Sequence, residues 1–215
     1  MNRGDRIWFF ITIAGICILL GCIIYWVIKI NMENFEILFG NGWWYIGVLI
    51  LGMVGSLINV PFYKRNNTTL YINVGGGVIP VIIVYFLCRK YLSYFRVLHF
   101  LIALLIMIII SRLLSFYVRE KGVVLVGLGV IISTLIITHF MNFYSQKENL
   151  LALKLSFGYI VSTLGVIIGG DILHLPQIFR DPEVPDKLSI GGAGTSDGIW
   201  VVGMAVMFFI NLFNL

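Results

Sequence analysis

The sequence predicts an all-α polytopic membrane protein of about seven transmembrane helices, forming one integral membrane domain over residues 1–215. Three observations carry that prediction. The chain is 60% hydrophobic and only 12% charged, whereas a soluble domain is roughly one-quarter charged. Apolar runs of about 20 residues, long enough to cross a bilayer core, follow one another with short connections. Finally, the Lys and Arg residues sit in those connections rather than in one block, so they report topology before any polyanion partner. The runs leave no room for a separate soluble catalytic domain, and nucleic acid is excluded as a ligand class.

Span one, near 7–30, follows the short stretch Met1–Arg6. Its apolar run of about 23 residues exceeds a signal-peptide core, and no small-residue cleavage site follows, so it reads as a retained span. Span two, near 43–62, opens on Trp43-Trp44 and closes before Lys64-Arg65. Span three, near 71–88, stops at Arg89-Lys90, and span four, near 97–115, carries Arg112 close enough to its end to reach the interface. Spans five and six lie near 122–143 and 155–175, and span seven near 188–213. Trp8, Trp26, Trp43 and Trp44 fit an interfacial aromatic belt. Cys17, Cys22 and Cys88 lie in or beside apolar runs without metal-type spacing, so neither a disulfide nor a metal site is expected, and no cofactor is implied.

Counted by alternate sides, nine Lys and Arg (Arg3, Arg6, Lys64, Arg65, Arg112, Arg119, Lys121, Arg180, Lys187) share the side of the N-terminus, against six on the other. The positive-inside rule then places the N-terminus in the cytoplasm and the protein in the cell membrane.

The first and last thirds of the chain read as copies of one unit. At an offset of 115 residues, Glu33-Asn34-Phe35 meets Glu148-Asn149-Leu150, and Gly55-Ser-Leu-Ile-Asn-Val-Pro61 meets Gly170-Asp-Ile-Leu-His-Leu-Pro176. One inserted residue then aligns Ile72-Asn73-Val74-Gly75-Gly76 with Leu188-Ser189-Ile190-Gly191-Gly192. Copies four spans apart run in the same direction. The plan is repeat one at about 5–90, a linker span at about 97–115 and repeat two at about 120–213, a parallel repeat.

Of ten acidic residues, only Asp171 and Asp197 fall inside apolar stretches. A carboxylate at depth costs at least about 2.5–3.5 kcal/mol on insertion scales, so such acids face a cavity or each other. Both sit on the cytoplasmic half of one hairpin. Around Asp197, Ser189-Ile-Gly-Gly-Ala-Gly-Thr-Ser-Asp-Gly198 strings together small and hydroxyl residues that weaken a helix and free its backbone groups. The same glycines appear in Asn73-Val-Gly-Gly-Gly-Val-Ile-Pro80, so two glycine-broken helices are expected, with close helix packing as the alternative use of the small residues. In the alignment Ser56 falls opposite Asp171 and Asn59 opposite His174, which stands one helical turn after Asp171. The candidate binding set is therefore Asn59, Asn73, Gly75, Gly76, Asp171, His174, Gly191, Gly192, Gly194, Thr195, Ser196 and Asp197.

At Gly55–Pro61, Ile72–Pro80, Gly165–Leu173 and Ser189–Ile199 the sequence resembles the multi-spanning membrane family catalogued as domain of unknown function 1614. That resemblance implies an integral membrane protein with a motif-rich C-terminal part, and it implies no activity. A fainter similarity is to the presenilin-like intramembrane aspartyl proteases, which hold one aspartate on each of two neighbouring spans, the second after a Gly-x-Gly pair. Here Gly169-Gly170 precedes Asp171, and Gly192-Ala193-Gly194 stands shortly before Asp197.

Three functions follow from these readings. The first is a small-solute or ion-coupled transporter, built on the repeat and the glycine segments. The second is an intramembrane aspartyl protease with Asp171 and Asp197 as its dyad, and the third is a structural or assembly protein. The bilayer is the first partner. A small solute, a proton or cation, and a second copy of the chain are the others the sequence admits.

Overall fold

The computed structural model describes residues 3–65, 68–118, 122–143, 149–180 and 186–215. Glu148 of the sequence alignment, Arg119, Lys121 and most of the acidic turn after span six lie outside the described residues.

Helix α1 (Arg3–Phe39) has 37 residues, a length of about 56 Å at 1.5 Å per residue. It runs well past the expected end of span one because neither Gly nor Pro interrupts Lys29–Phe39, and Lys29 pairs with Glu33 one turn on, at 3.9 Å. The helix stops at Gly40, which turns the chain at φ +80°. The Nζ of Lys90 then donates to the carbonyl of Leu38 at 2.7 Å. Helix α2 (Trp43–Gly55) follows, with the Trp43 N–H donating to the side chain of Asn41.

Beyond α2 the chain leaves the helical plan. Strand β1 (Asn59–Arg65) pairs antiparallel with β2 (Thr68–Asn73), and β2 pairs in parallel with β5 (Lys187–Ile190), giving the order β1-β2-β5. A hairpin of β3 (Ser115–Val118) and β4 (Gly122–Leu125) occupies the turn between spans four and five. The all-α expectation is amended accordingly: the molecule is mostly helical, with short strands at the ends of spans two, three, four, five and seven. Val60, Phe62, Tyr63, Thr68, Thr69, Tyr71 and Ile72 are β-branched or aromatic residues that suit a pleated surface. Hydropathy alone does not separate such a run from a helix end.

A turn of π-helix (Val74–Val78) leads from β2 into α3 (Ile79–Tyr91), with Pro80 in the first turn where its missing N–H is harmless. Helices α4 (Val97–Leu113) and α5 (Gly127–His139) flank the β3–β4 hairpin. Helix α6 (Leu150–Gly165) continues as a π turn (Val166–Asp171), a 3₁₀ turn (Ile172–His174) and the short α7 (Leu175–Ile178). Helix α8 (Gly198–Phe213) ends the chain.

Among the described residues three helical stretches, Gly15–Phe39, Val74–Tyr94 and Leu150–Ile178, are long and apolar enough to cross a membrane, and α2, α4, α5 and α8 are shorter apolar helices. Helix α6 sits in the middle, packed by α1, α3, α4, α5 and α8. Leu153, Leu155, Tyr159, Ile160 and Val161 are all fully buried. The periphery is apolar as well: α4 exposes Leu98, Leu101, Ile102, Leu105 and Ile109 along one side. An apolar surface of that extent fits lipid rather than water.

Candidate functional site

Asp171 is positioned by the end of α6. The Cβ that a side chain at Gly169 would add collides with the backbone carbonyl of Ile108, so glycine there lets α4 close against the turn. The wider π turn of Val166–Asp171 breaks the regular i→i−4 ladder, an irregularity common at functional sites. Asp171 is half-buried at its last residue. Among the described residues its carboxyl group accepts no hydrogen bond and forms no ion pair.

Asp197 is held differently. The expected broken helix over 189–198 is a strand to Ile190, a tight turn, a 3₁₀ turn (Gly194–Ser196) and the extended residue Asp197, which caps α8. Its Oδ1 accepts from the Ile199 N–H at 3.0 Å, and its Oδ2 accepts from the Ala193 N–H at 3.3 Å. One carboxylate thus satisfies the helix start and staples the preceding turn.

The two acids share their surroundings. A cavity of about 350 Å³ is lined by Asp171 and Asp197 together with Leu188, Ser189 and Ile190 of β5 and Val123 of β4. A second, of about 270 Å³, is lined by the same two acids and reaches past Gly170 to Val166 and Val202 between α6 and α8. Sequence reading did not find the β4 wall or the β5 strand, because nothing in Gly122–Leu125 or Lys187–Ile190 marks either as part of a site.

The other candidate residues divide. Gly192 lines the larger cavity and Ser196 the smaller. Asn73 is fully buried and spent on structure: its Nδ2 donates to Ser56 O at 2.8 Å and to Asn59 Oδ1 at 3.2 Å, while its Oδ1 accepts from Gly76 N–H at 2.9 Å. Ser189 donates to the same Asn59 oxygen at 2.8 Å, and the Thr195 N–H donates to Ser56 Oγ at 3.2 Å. These bonds tie the Gly75 and Thr195 segments together. The glycine segments pack on each other. A Cβ at Gly76 would fall on the carbonyl of Gly191 and 2.6 Å from that of Gly194, and one at Gly191 would lie 2.5 Å from Gly77 N. Gly191 and Gly194 also take φ of +70° and +63°.

His174 is buried and turned toward α4 and β3. Its Nε2 lies 3.2 Å from Arg112 Nη1 and 2.9 Å from Ser115 Oγ. A guanidinium only donates, so Nε2 is the unprotonated ring nitrogen. His174 does not line either acid cavity. It anchors the turn that follows Asp171 to the end of α4.

No curated protein matches the chain. No solved structure matches it either. The family described as "Protein of unknown function (DUF1614)" matches residues 23–209, a stretch that includes both acids, both glycine segments and every strand. A match over that much of its length means that the chain belongs to the DUF1614 family.

Proposed function

We propose that this protein is an intramembrane aspartyl hydrolase that cleaves a peptide bond at Asp171 and Asp197. The observation that carries the reading is that both acids line the same two cavities, Asp171 at the end of the π turn after α6 and Asp197 at the cap of α8, with no cation paired to either among the described residues. Two carboxyl groups that share a site can hold one proton between them. In the reaction the ionised member takes a proton from water as its oxygen attacks the scissile carbonyl, and the protonated member gives its proton to the carbonyl oxygen. Collapse of the diol returns a proton to the departing amine and leaves an acid and an amine. Asp197, whose oxygens already accept two backbone N–H groups, suits the ionised role, and Asp171, which accepts none among the described residues, suits the protonated one.

Strand β5 supports a peptide substrate. Among the described residues it is an edge strand whose one neighbour is β2, and its residues Lys187–Ile190 line the larger cavity. An unpaired edge there offers main-chain donors and acceptors to an extended segment beside the acids.

The carrier reading expects the two glycine segments to enclose a cavity, and they pack against each other instead. The duplication remains part of the proposal: each copy supplies a strand, a glycine segment and a helix, and the two strands lie parallel. The same holds for the cytoplasmic N-terminus and for placement in the cell membrane.

The test is cleavage of a library of single-span peptides, each with a fluorophore and a quencher at its ends, by purified protein in lipid nanodiscs. Cleavage lost in both Asp171→Asn and Asp197→Asn supports the dyad. Cleavage that survives either substitution, or no cleavage by the unaltered protein, removes it.

A further inference from the structure

We infer that the smaller acid-lined cavity is a pocket for one large apolar side chain of the peptide, next to the bond that is cut, and that Gly127 and Gly170 keep it open. This rests on the hydrolase reading and names the kind of peptide it acts on. The two cavities meet at Asp171, Asp197 and Val123, which line both. They differ in what they offer. The larger runs along strand β5, whose main-chain groups suit an extended backbone. The smaller, of about 270 Å³, lies among α5, α6 and α8, helices that satisfy most of their own main-chain groups. Away from the acids its walls are Leu125, Val166, Val201 and Val202, and Ser196 is the one other polar side chain among its lining residues.

Successive side chains of an extended chain point to opposite sides. A peptide laid on β5 with a carbonyl at the acids therefore turns one neighbouring side chain into the smaller cavity and the next one away from it. The size sets which side chains gain. An apolar protein cavity of about 150 Å³ takes up benzene, so about 270 Å³ holds the ring of Phe or the branches of Leu. Ala leaves most of it unfilled, and an acidic residue would meet two carboxyl groups. The glycines give an independent sign. Glycine weakens a helix relative to alanine, and at Gly169 and Gly76 close main-chain contact requires it all the same. At Gly127 and Gly170 that reason is missing. Neither has a positive φ, and an added Cβ would meet only Val202 Cγ2 and Val166 Cγ1 respectively, each at an ordinary 3.6 Å. A methyl group fits at both positions without disturbing the packing, and its absence leaves room in the cavity that both glycines line.

The experiment uses the full chain in lipid nanodiscs and single-span peptides whose spans are alanine and valine, either without Phe or with one Phe moved stepwise along the span. The expected result is a cut that keeps a fixed distance from the Phe, mapped by mass spectrometry, at a rate about tenfold or more above the peptide without Phe, the usual return for burying a ring. Gly127→Ala combined with Gly170→Ala should lower that ratio about fivefold. Val166→Ala, which widens the pocket, should at least double the rate for Trp relative to Phe, and serves if the narrowed variant folds poorly. Binding of the same peptides to the Asp171→Asn protein, read by fluorescence anisotropy, tests the pocket without chemistry: the Phe peptide should bind about tenfold tighter, and the two glycine substitutions should weaken it. Cleavage that ignores the Phe, or a preference unchanged by both the narrowed and the widened variants, overturns the pocket and leaves the hydrolase standing. No cleavage, with Phe-dependent binding that the glycine substitutions weaken, removes the hydrolase and supports the pocket. Neither cleavage nor Phe-dependent binding overturns both.

Discussion

Asp197 is placed to do two things, and a pair of substitutions separates them. As the cap of α8 it needs only an acceptor oxygen at Oδ1, which an amide supplies as well as a carboxylate. As half of a dyad it needs a titrating carboxyl group. Asp197→Asn therefore keeps the bond from Ile199 N–H and removes the chemistry. It forfeits the attraction of a charge for the helix N-terminus, about 0.5 kcal/mol, and the longer contact from Ala193 N–H, which an amide nitrogen cannot accept, for a total of about 1 kcal/mol. Asp197→Ala loses both of these and the cap itself, about 1 kcal/mol more, for a total of about 2 kcal/mol. At about 2–4 °C per kcal/mol for a chain of this size, the alanine variant should melt about 4–8 °C lower and the asparagine variant about 2–4 °C lower than the unaltered protein. Thermal unfolding in detergent can be followed through Trp200, which is buried three residues into α8 while Trp43 and Trp44 are exposed. Peptide cleavage should vanish in both variants. An asparagine variant as unstable as the alanine one refutes the capping argument, and one that still cleaves refutes the dyad.

Other predictions follow from the packing around the site. Gly76→Ala should cost about 3 kcal/mol, the upper end for overpacking, because the added methyl meets the main-chain carbonyls of Gly191 and Gly194 and neither can swing aside. A melting temperature within about 2 °C of the unaltered protein contradicts that. Asn73→Ala takes the side-chain partner from the Gly76 N–H and from the Ser56 carbonyl and should cost about 2–4 kcal/mol, read in the same melt. With Cys17, Cys22 and Cys88 replaced by serine, Lys64→Cys should resist and Asn41→Cys should accept a membrane-impermeant thiol reagent added to intact cells. The opposite pattern reverses the inferred orientation. Both positions are exposed, so access is decided by the side of the membrane and not by burial.

The sequence alone determined what depends on the solvent and on local pattern. Long apolar runs with charges confined to their ends admit one surrounding, and the helical stretches at Gly15–Phe39 and Leu150–Ile178 could be read because hydropathy over such lengths has no other common explanation. Asp171 and Asp197 were legible for the same reason: a carboxylate inside an apolar run must have a use. Tertiary structure decided the rest. Residues 59–65, 68–73 and 187–190 carry the same apolar letters that a helix end carries, and they are strands because β2 finds a partner on either side; pairing of that kind depends on residues more than 100 positions away. Asn73, Gly76 and Gly191 were expected to bind something because glycines and amides free the backbone. They instead satisfy and contact one another, which only the approach of two distant segments could reveal. The cavity shared by the two acids has walls from β4 and β5, and no local signal announces a wall. Local chemistry marks where a charge is costly, and the meeting of distant segments fixes which charge has a cavity to face.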